Sequence, residues 1–225
     1  MKILLLAKQY VKICLRPEGK QAFLKLLGSR SRILDVGCGN HGSVESFKMI
    51  LPDCIYTGID VGDYNQTSSS LSLMDEYIVV DSGEFASRIA DLGDNFNAVI
   101  SSHNLEHCDN RSECLASIMK AVVKGGSLYL SFPSEKTVGF PGRAGTLNYH
   151  DDPTHKQIPP DFDAILEELN NNNFNVTFSA KCYQPFILRC IGFIMEPISM
   201  FSKRISIGTW ELYGFESIIH ATKIG

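Results

Sequence analysis

The stretch Arg32-Ile33-Leu34-Asp35-Val36-Gly37-Cys38-Gly39-Asn40-His41-Gly42 decides the fold. Its first five residues form a short apolar run that ends at a glycine, the pattern of a buried strand. The glycines that follow read as a turn, and residues 43–51 read as a helix stopped by Pro52. A strand running through a glycine-rich turn into a helix lets a ligand approach the backbone closely. A Cβ at Gly37 or Gly39 is expected to obstruct that approach.

Outward from this turn the same rhythm repeats. Residues 54–59 read as a second strand ending at Asp60, 77–80 as a third ending at Asp81, 96–101 as a fourth, and 127–132 as a fifth ended by Pro133. Helical patterns at 84–92 and 111–123 close at glycines. Alternating strands and helices imply right-handed crossovers and a mainly parallel sheet. The strands are almost wholly apolar, as expected when helices cover both faces. In such sheets ligands bind beyond the carboxyl ends of the strands, where this turn would sit. Asp60 follows the turn by about 20 residues, where a carboxylate can accept ribose hydroxyls. Asp81 ends the next strand, where an adenine amino group could be read. The turn taken alone also fits a nicotinamide dinucleotide, with Gly42 three after Gly39, and the wider motif set decides against that reading.

The set of motifs resembles class I S-adenosylmethionine-dependent methyltransferases. ILDVGCG at 33–39 is similar to their first motif, GID at 58–60 to the second-strand acidic position, and Asp81-Ser82 to the third. FNAVISSHNLEHC at 96–108 and KGGSLYLSFP at 124–133 resemble the fourth- and fifth-strand elements. The resemblance implies a Rossmann-like, doubly wound α/β fold. Its sheet would have seven strands, mainly parallel, with helices on both faces and the last strand antiparallel. Segments 174–180 and 217–222 suit the two late strands. The resemblance also implies S-adenosylmethionine as cofactor, held by Asp35, Gly37, Cys38, Gly39, Asp60, Val61, Asp81, Ser82, Ser101 and His103. A looser resemblance, carried by SSHNLEH and the later H-x-D-P-T-H loop, is to bacterial methyltransferases of polysaccharide and glycan biosynthesis. It implies a sugar hydroxyl as acceptor.

Residues 134–160 break the rhythm with three glycines, four prolines and two histidines, and read as an active-site loop. His150-Asp151-Asp152-Pro153-Thr154-His155 places two histidines close to carboxylates. A histidine paired with a carboxylate is the usual base for a hydroxyl near neutral pH. The expected catalytic residues are His155, His150, Asp152 and His103, with His155 or His150 as base. His107 lies at the same mouth. No metal site is expected, although a divalent ion held by His and Asp would also acidify an acceptor hydroxyl.

Residues 1–30 read as a helical prelude, with apolar positions at Leu4, Ala7, Val11 and Leu15, and 31–225 as one methyltransferase domain. Segment 183–212 is apolar and partly basic, and reads as a helical insertion. It could serve as a lid, a homodimer surface or a peripheral membrane contact, the last suiting a lipid-linked acceptor. The net charge of −4 disfavours nucleic acid. The seven cysteines are odd in number, contain no CxxC pair and read as buried hydrophobes in a reducing, cytoplasmic setting. A methyltransferase acting on nitrogen and a non-catalytic scaffold with the same fold are the rival readings.

Overall fold

Residues 33–36 alternate between two hydrophobic clusters, one on each face of a single sheet. Ile33 joins Tyr56, Ala98, Ile100 and Tyr129 on one face. Leu34 and Val36 join Ile59, Val99, Leu128 and Leu130 on the other. This period of two is what a strand covered on both sides produces.

The computed structural model describes residues 2–224, with side chains from residue 9 onward. The element order is α1 (Lys2–Leu15), α2 (Lys20–Lys25), β1 (Arg32–Val36), α3 (Gly42–Ile50), β2 (Ile55–Asp60), α4 (Ser68–Leu71), β3 (Glu76–Val79), α5 (Phe85–Asp91), β4 (Phe96–Ser102), α6 (Arg111–Ala121), β5 (Val122–Pro133), α7 (Phe162–Asn171), β6 (Phe174–Ala180), α8 (Phe186–Ser202), α9 (Thr209–Tyr213) and β7 (Glu216–Lys223). Short 3-10 turns at Leu105–His107 and Tyr149–Asp151 shape two of the loops.

The sheet has seven strands in the order β3-β2-β1-β4-β5-β7-β6. Strands β1 to β5 pair in parallel, and β7 lies antiparallel between β5 and β6. This is the expected fold class. The order reverses at β1, so the carboxyl ends of β1 and β4 open a crevice at the switch point.

Several boundaries differ from the sequence reading. Strand β5 begins at Val122, five residues before the expected start, because Val122 pairs with Phe96 across an irregular register. The glycine pair therefore sits inside a bent strand rather than closing the helix before it. Helix α4 carried no sequence signal; Thr67 and Ser70 cap it reciprocally. In the N-terminal segment, Phe23 and Leu24 of α2 are buried in the core, whereas Val11 of α1 is exposed. The side chains of Leu4 and Ala7 lie outside the described residues.

Segment 183–212 folds mainly as α8 and α9, inserted between β6 and β7. Much of α8 faces outward: Phe186, Phe193, Ile194 and Phe201 are 72–94% exposed. Among the described residues, no helix is long and apolar enough to cross a membrane.

Candidate active site

The backbone at the end of β1 turns with Gly37 and Gly39 both in the left-handed region, at φ 70° and 64°. The two glycines do different work. A Cβ on Gly37 would stand 2.6 Å from Asn104 Oδ1, so this position is closed by packing against the loop after β4. At Gly39 a Cβ would meet nothing within 4 Å. That open space borders the crevice, and only there does the absence of a side chain keep room for a ligand.

Asp60, at the end of β2, braces the turn. Its Oδ2 accepts a hydrogen bond from the Gly39 N–H and its Oδ1 one from the Val61 N–H, each at 2.7 Å. A carboxylate has about four acceptor lone-pair sites, so two remain for ligand hydroxyls. Burial raises the Asp60 pKa from its ordinary value, and the two backbone N–H groups pull it only part of the way back.

Asp35 stands elsewhere. It is buried, and its Oδ2 accepts hydrogen bonds from the hydroxyls of Tyr56 and Ser43, both at 2.7 Å. It ties β1 to β2 and to the start of α3 from beneath the turn. Burial and the nearby Asp35 charge push the Tyr56 hydroxyl well above its ordinary pKa, so it stays a donor.

A cavity of about 500 Å³ opens beside this turn, within the usual size range for small-molecule sites. Gly37, Gly39, Asp60, Val61, Ser82 and His103 line it, among the residues expected to bind a cofactor. Asp35, Cys38 and Ser101 are buried beneath its wall, and Asp81 is exposed outside it. Asn104, His107, Cys108, Cys114, Thr154 and Lys156 extend the lining away from the turn. A nucleoside held by Asp60 and by the space at Gly39 would therefore fit the residues present.

The far wall forms where the loop after β5 folds back onto the turn after β4. The Lys156 N–H donates to Glu106 O at 2.9 Å, and the Gln157 amide donates to Asp109 O at 2.8 Å. This docking brings His155 against His107, with ring centroids 4.9 Å apart. His155 Nδ1 lies 2.6 Å from the Tyr149 carbonyl, which can only accept, so Nδ1 carries the proton and Nε2 is free. The Thr154 hydroxyl donates to Asp152 Oδ1 at 2.5 Å. It therefore accepts from His107 Nδ1 at 3.0 Å, so that the ring's engaged nitrogen is again Nδ1. His107 lines the cavity, and His155 packs against its ring without being part of the lining.

The four expected catalytic residues separate in space. His155 lies at this wall, with Nε2 4.0 Å from Asp152 Oδ2. The Thr154 hydrogen bonds outweigh burial and hold the Asp152 carboxyl below its ordinary pKa. His150 is exposed, packs edge-on against Tyr149 and does not line the cavity. His103 lines it, but both ring nitrogens are engaged, Nδ1 with Glu106 and Nε2 with Glu216, each at 3.1 Å. Burial opposes the charge on His103, and the two carboxylates overcome that effect and raise its pKa to about 9. His103 is thus an imidazolium donating from both nitrogens, a structural cation.

Glu216 is in turn paired with Arg16, which directly follows α1 and also reaches Glu211 at 3.6 Å. The chain Arg16–Glu216–His103–Glu106 crosses from the N-terminal helix to the cavity wall. Sequence reasoning missed Glu216, Asn104 and the role of Glu106. Glu106 stood inside the quoted LEH motif, while Glu216 lies 113 residues from His103 and carried no local signal.

The architecture is shared with solved structures. A methyltransferase from Haloferax volcanii, solved with the Trm112 methyltransferase activator, aligns with a TM-score of 0.64 at 10% identity, covering 97% of this chain and 95% of that one. A Bacillus halodurans methyltransferase aligns with a TM-score of 0.55 at 18% identity, covering 98% and 99%. The Burkholderia thailandensis 1,6-didemethyltoxoflavin-N1-methyltransferase, solved with S-adenosylhomocysteine, aligns with a TM-score of 0.56 at 16% identity, covering 91% and 76%. At these identities the likeness is one of fold. No curated protein sequence matches the chain. Residues 9–178, most of the chain, match the family model described as a methyltransferase domain. With a seven-stranded sheet of this order and a glycine turn braced by Asp60, the chain belongs to the methyltransferase domain family.

Proposed function

We propose that the protein transfers a methyl group from S-adenosylmethionine to a hydroxyl of a small acceptor bound between the glycine turn and the histidine wall. One observation carries this reading. A single cavity runs from Gly39 and Asp60 to His107 and Thr154, so a cofactor at one end faces hydrogen-bond acceptors at the other. When bound, the cofactor supplies an electrophilic methyl on a sulfonium. The chain supplies position and solvent exclusion. Asp60 accepts the ribose hydroxyls, the Gly39 backbone leaves room for the cofactor, and Ser82 and Gly83 flank the base. The free Nε2 of His107, which lines the cavity with His155 packed against its ring, accepts a hydrogen bond from the acceptor hydroxyl and holds its oxygen toward the methyl. Of the residues expected to act on the acceptor, His155 and Asp152 keep a part, as supports behind the cavity-lining His107 and Thr154. His150 and His103 do not, the first for lack of access and the second for lack of a free nitrogen.

A sugar hydroxyl is the first acceptor to test, on the sequence resemblance alone. The exposed face of α8 lies away from the cavity, so a contact there with a second copy or a membrane surface would leave the site open. The test is label transfer from methyl-labelled S-adenosylmethionine to a panel of sugar nucleotides, simple alcohols and amines. Label in an alkali-stable ether on a hydroxyl compound supports the reading. Label confined to the amines moves the acceptor to nitrogen. S-adenosylhomocysteine binding with no transfer to any class favours the scaffold reading.

A further inference from the structure

Glu106 is buried, and its Oε2 has no hydrogen-bond partner. Its Oε1 is taken by His103. An ionised carboxylate left half-satisfied out of water is costly, and such an atom calls for a positive partner. Lys156, whose backbone N–H binds the Glu106 carbonyl, does not provide one, because its ammonium turns to Asp109 at 3.3 Å.

Two imidazoles stand next to this carboxylate. One carboxylate oxygen of Glu106 and one ring nitrogen each of His107 and His155 lie within 4.8 Å of one another. On both rings Nδ1 is already engaged, in His155 with the Tyr149 carbonyl and in His107 with the Thr154 hydroxyl, which leaves Nε2 for a ligand. Outer hydrogen bonds of this kind fix the tautomer and orientation of metal-binding histidines. Metal bonds of about 2.0–2.2 Å put donors within roughly 4 Å of each other, so closing the set needs movements under about 1 Å. His107 also lines the cavity, which leaves the acceptor side open for exogenous oxygen.

We infer that Glu106, His107 and His155 form a site for a divalent first-row transition-metal ion, open toward the acceptor. Two imidazoles and one carboxylate with open positions suit such an ion. The inference deepens the proposed O-methyl transfer and rests on it for its role. The two Nε2 lone pairs then bind the ion, and the acceptor hydroxyl binds it as a further oxygen ligand and is acidified. The hydroxyl proton passes to water. The alkoxide attacks the methyl carbon, the C–O bond forms as the C–S bond breaks, and the electron pair stays on sulfur as S-adenosylhomocysteine. No oxidant or reductant takes part.

The test uses the full chain, stripped with a chelator and titrated with Co²⁺, followed by visible absorption and calorimetry. S-adenosylhomocysteine is titrated in parallel. The expected result is one Co²⁺ per chain with a d–d band, weakened at least about tenfold in His107→Gln and in His155→Gln. Thr154→Val, which removes the outer hydrogen bond to His107, weakens Co²⁺ by about 10–100-fold while the chain stays folded. His150→Ala leaves Co²⁺ affinity unchanged. No Co²⁺ binding by a chain that still binds S-adenosylhomocysteine overturns the metal site and leaves the methyl-transfer reading standing. Co²⁺ affinity equal in wild type and all three ligand-side variants overturns it as well. Co²⁺ binding that follows the variants in a folded chain that ignores S-adenosylhomocysteine keeps the metal site and sinks methyl transfer.

Discussion

The two walls of the cavity solve the same problem, holding a carboxylate out of water, in opposite ways. On the glycine-turn wall Asp60 is satisfied by two backbone N–H groups, that of its neighbour Val61 and that of Gly39 in the turn after β1. On the histidine wall Glu106 is satisfied on one oxygen only, by a histidine that is itself held through Glu216 to Arg16. The first wall joins two neighbouring strand ends through backbone donors and can be changed with local consequences. The second is a relay of buried charges that spans the sheet, so damage to it spreads. A residue proposed to bind ligand and a stabilising residue thus lie at the same cavity and should respond differently to removal.

The sharpest way to break this contrast is Glu216→Ala. It strands a buried imidazolium and leaves Arg16 without its main partner, which should destabilise the fold by about 3–5 kcal/mol. Chemical denaturation would measure it. A loss under about 1 kcal/mol would mean that the relay does not hold the wall together.

Asp60→Ala should do the reverse. S-adenosylhomocysteine affinity is expected to fall on the order of 100-fold, the scale of losing hydrogen bonds to a charged acceptor, while the chain still folds. Calorimetry beside a melting curve separates the two effects. Unchanged affinity would place the cofactor away from Asp60.

Gly37→Ala tests the turn itself. The new Cβ would crowd Asn104 at a left-handed φ, at an expected stability cost of about 2 kcal/mol. Gly39→Ala meets no atom, so its effect should fall on ligand affinity more than on stability.

Acid should weaken the fold through the relay and not through the turn, because burial already raises the Asp60 pKa. Burial would raise the Glu216 pKa, but Arg16 and His103 outweigh it and lower it to about 2 from an ordinary 4.5. A group whose folded pKa is depressed stabilises the fold fully above its unfolded value. That contribution is lost as pH falls through the window from 4.5 to about 2. Melting temperature followed across this window should fall more steeply in the wild type than in Glu216→Gln. Parallel curves would remove Glu216 from the acid response. The smallest effect is expected far from both walls: Phe201→Ser, on a residue 94% exposed, should move stability by no more than about 0.5 kcal/mol.

The parts of the molecule differ in how far they could be read in advance. The glycine turn, the strand ends at Asp60 and the five parallel strands were legible because each rests on contiguous residues with a period of two and a breaker. Strand β5 was misjudged at its start because pairing with Phe96 overrode the break suggested by Gly125-Gly126. Asp35 looked like a cofactor contact because it precedes the turn. Its place depends on Tyr56, which only the pairing of β1 with β2 brings within reach. His103 looked like a base because histidine near a mouth often is one. Its two carboxylate partners, one from β7, make it a cation instead.

By itself the sequence determined the fold class, the turn and the carboxylate beside it. Local patterning fixes strand, helix and tight turn, and a ligand grip made of backbone follows from them. Only the tertiary structure decided which histidines meet, which nitrogens stay free and which carboxylate is left half-satisfied. Those outcomes depend on where the loop after β5 comes to rest on the loop after β4, and on β7 entering the sheet beside β5. Such contacts join residues 48 to 113 positions apart, and no local propensity carries their geometry.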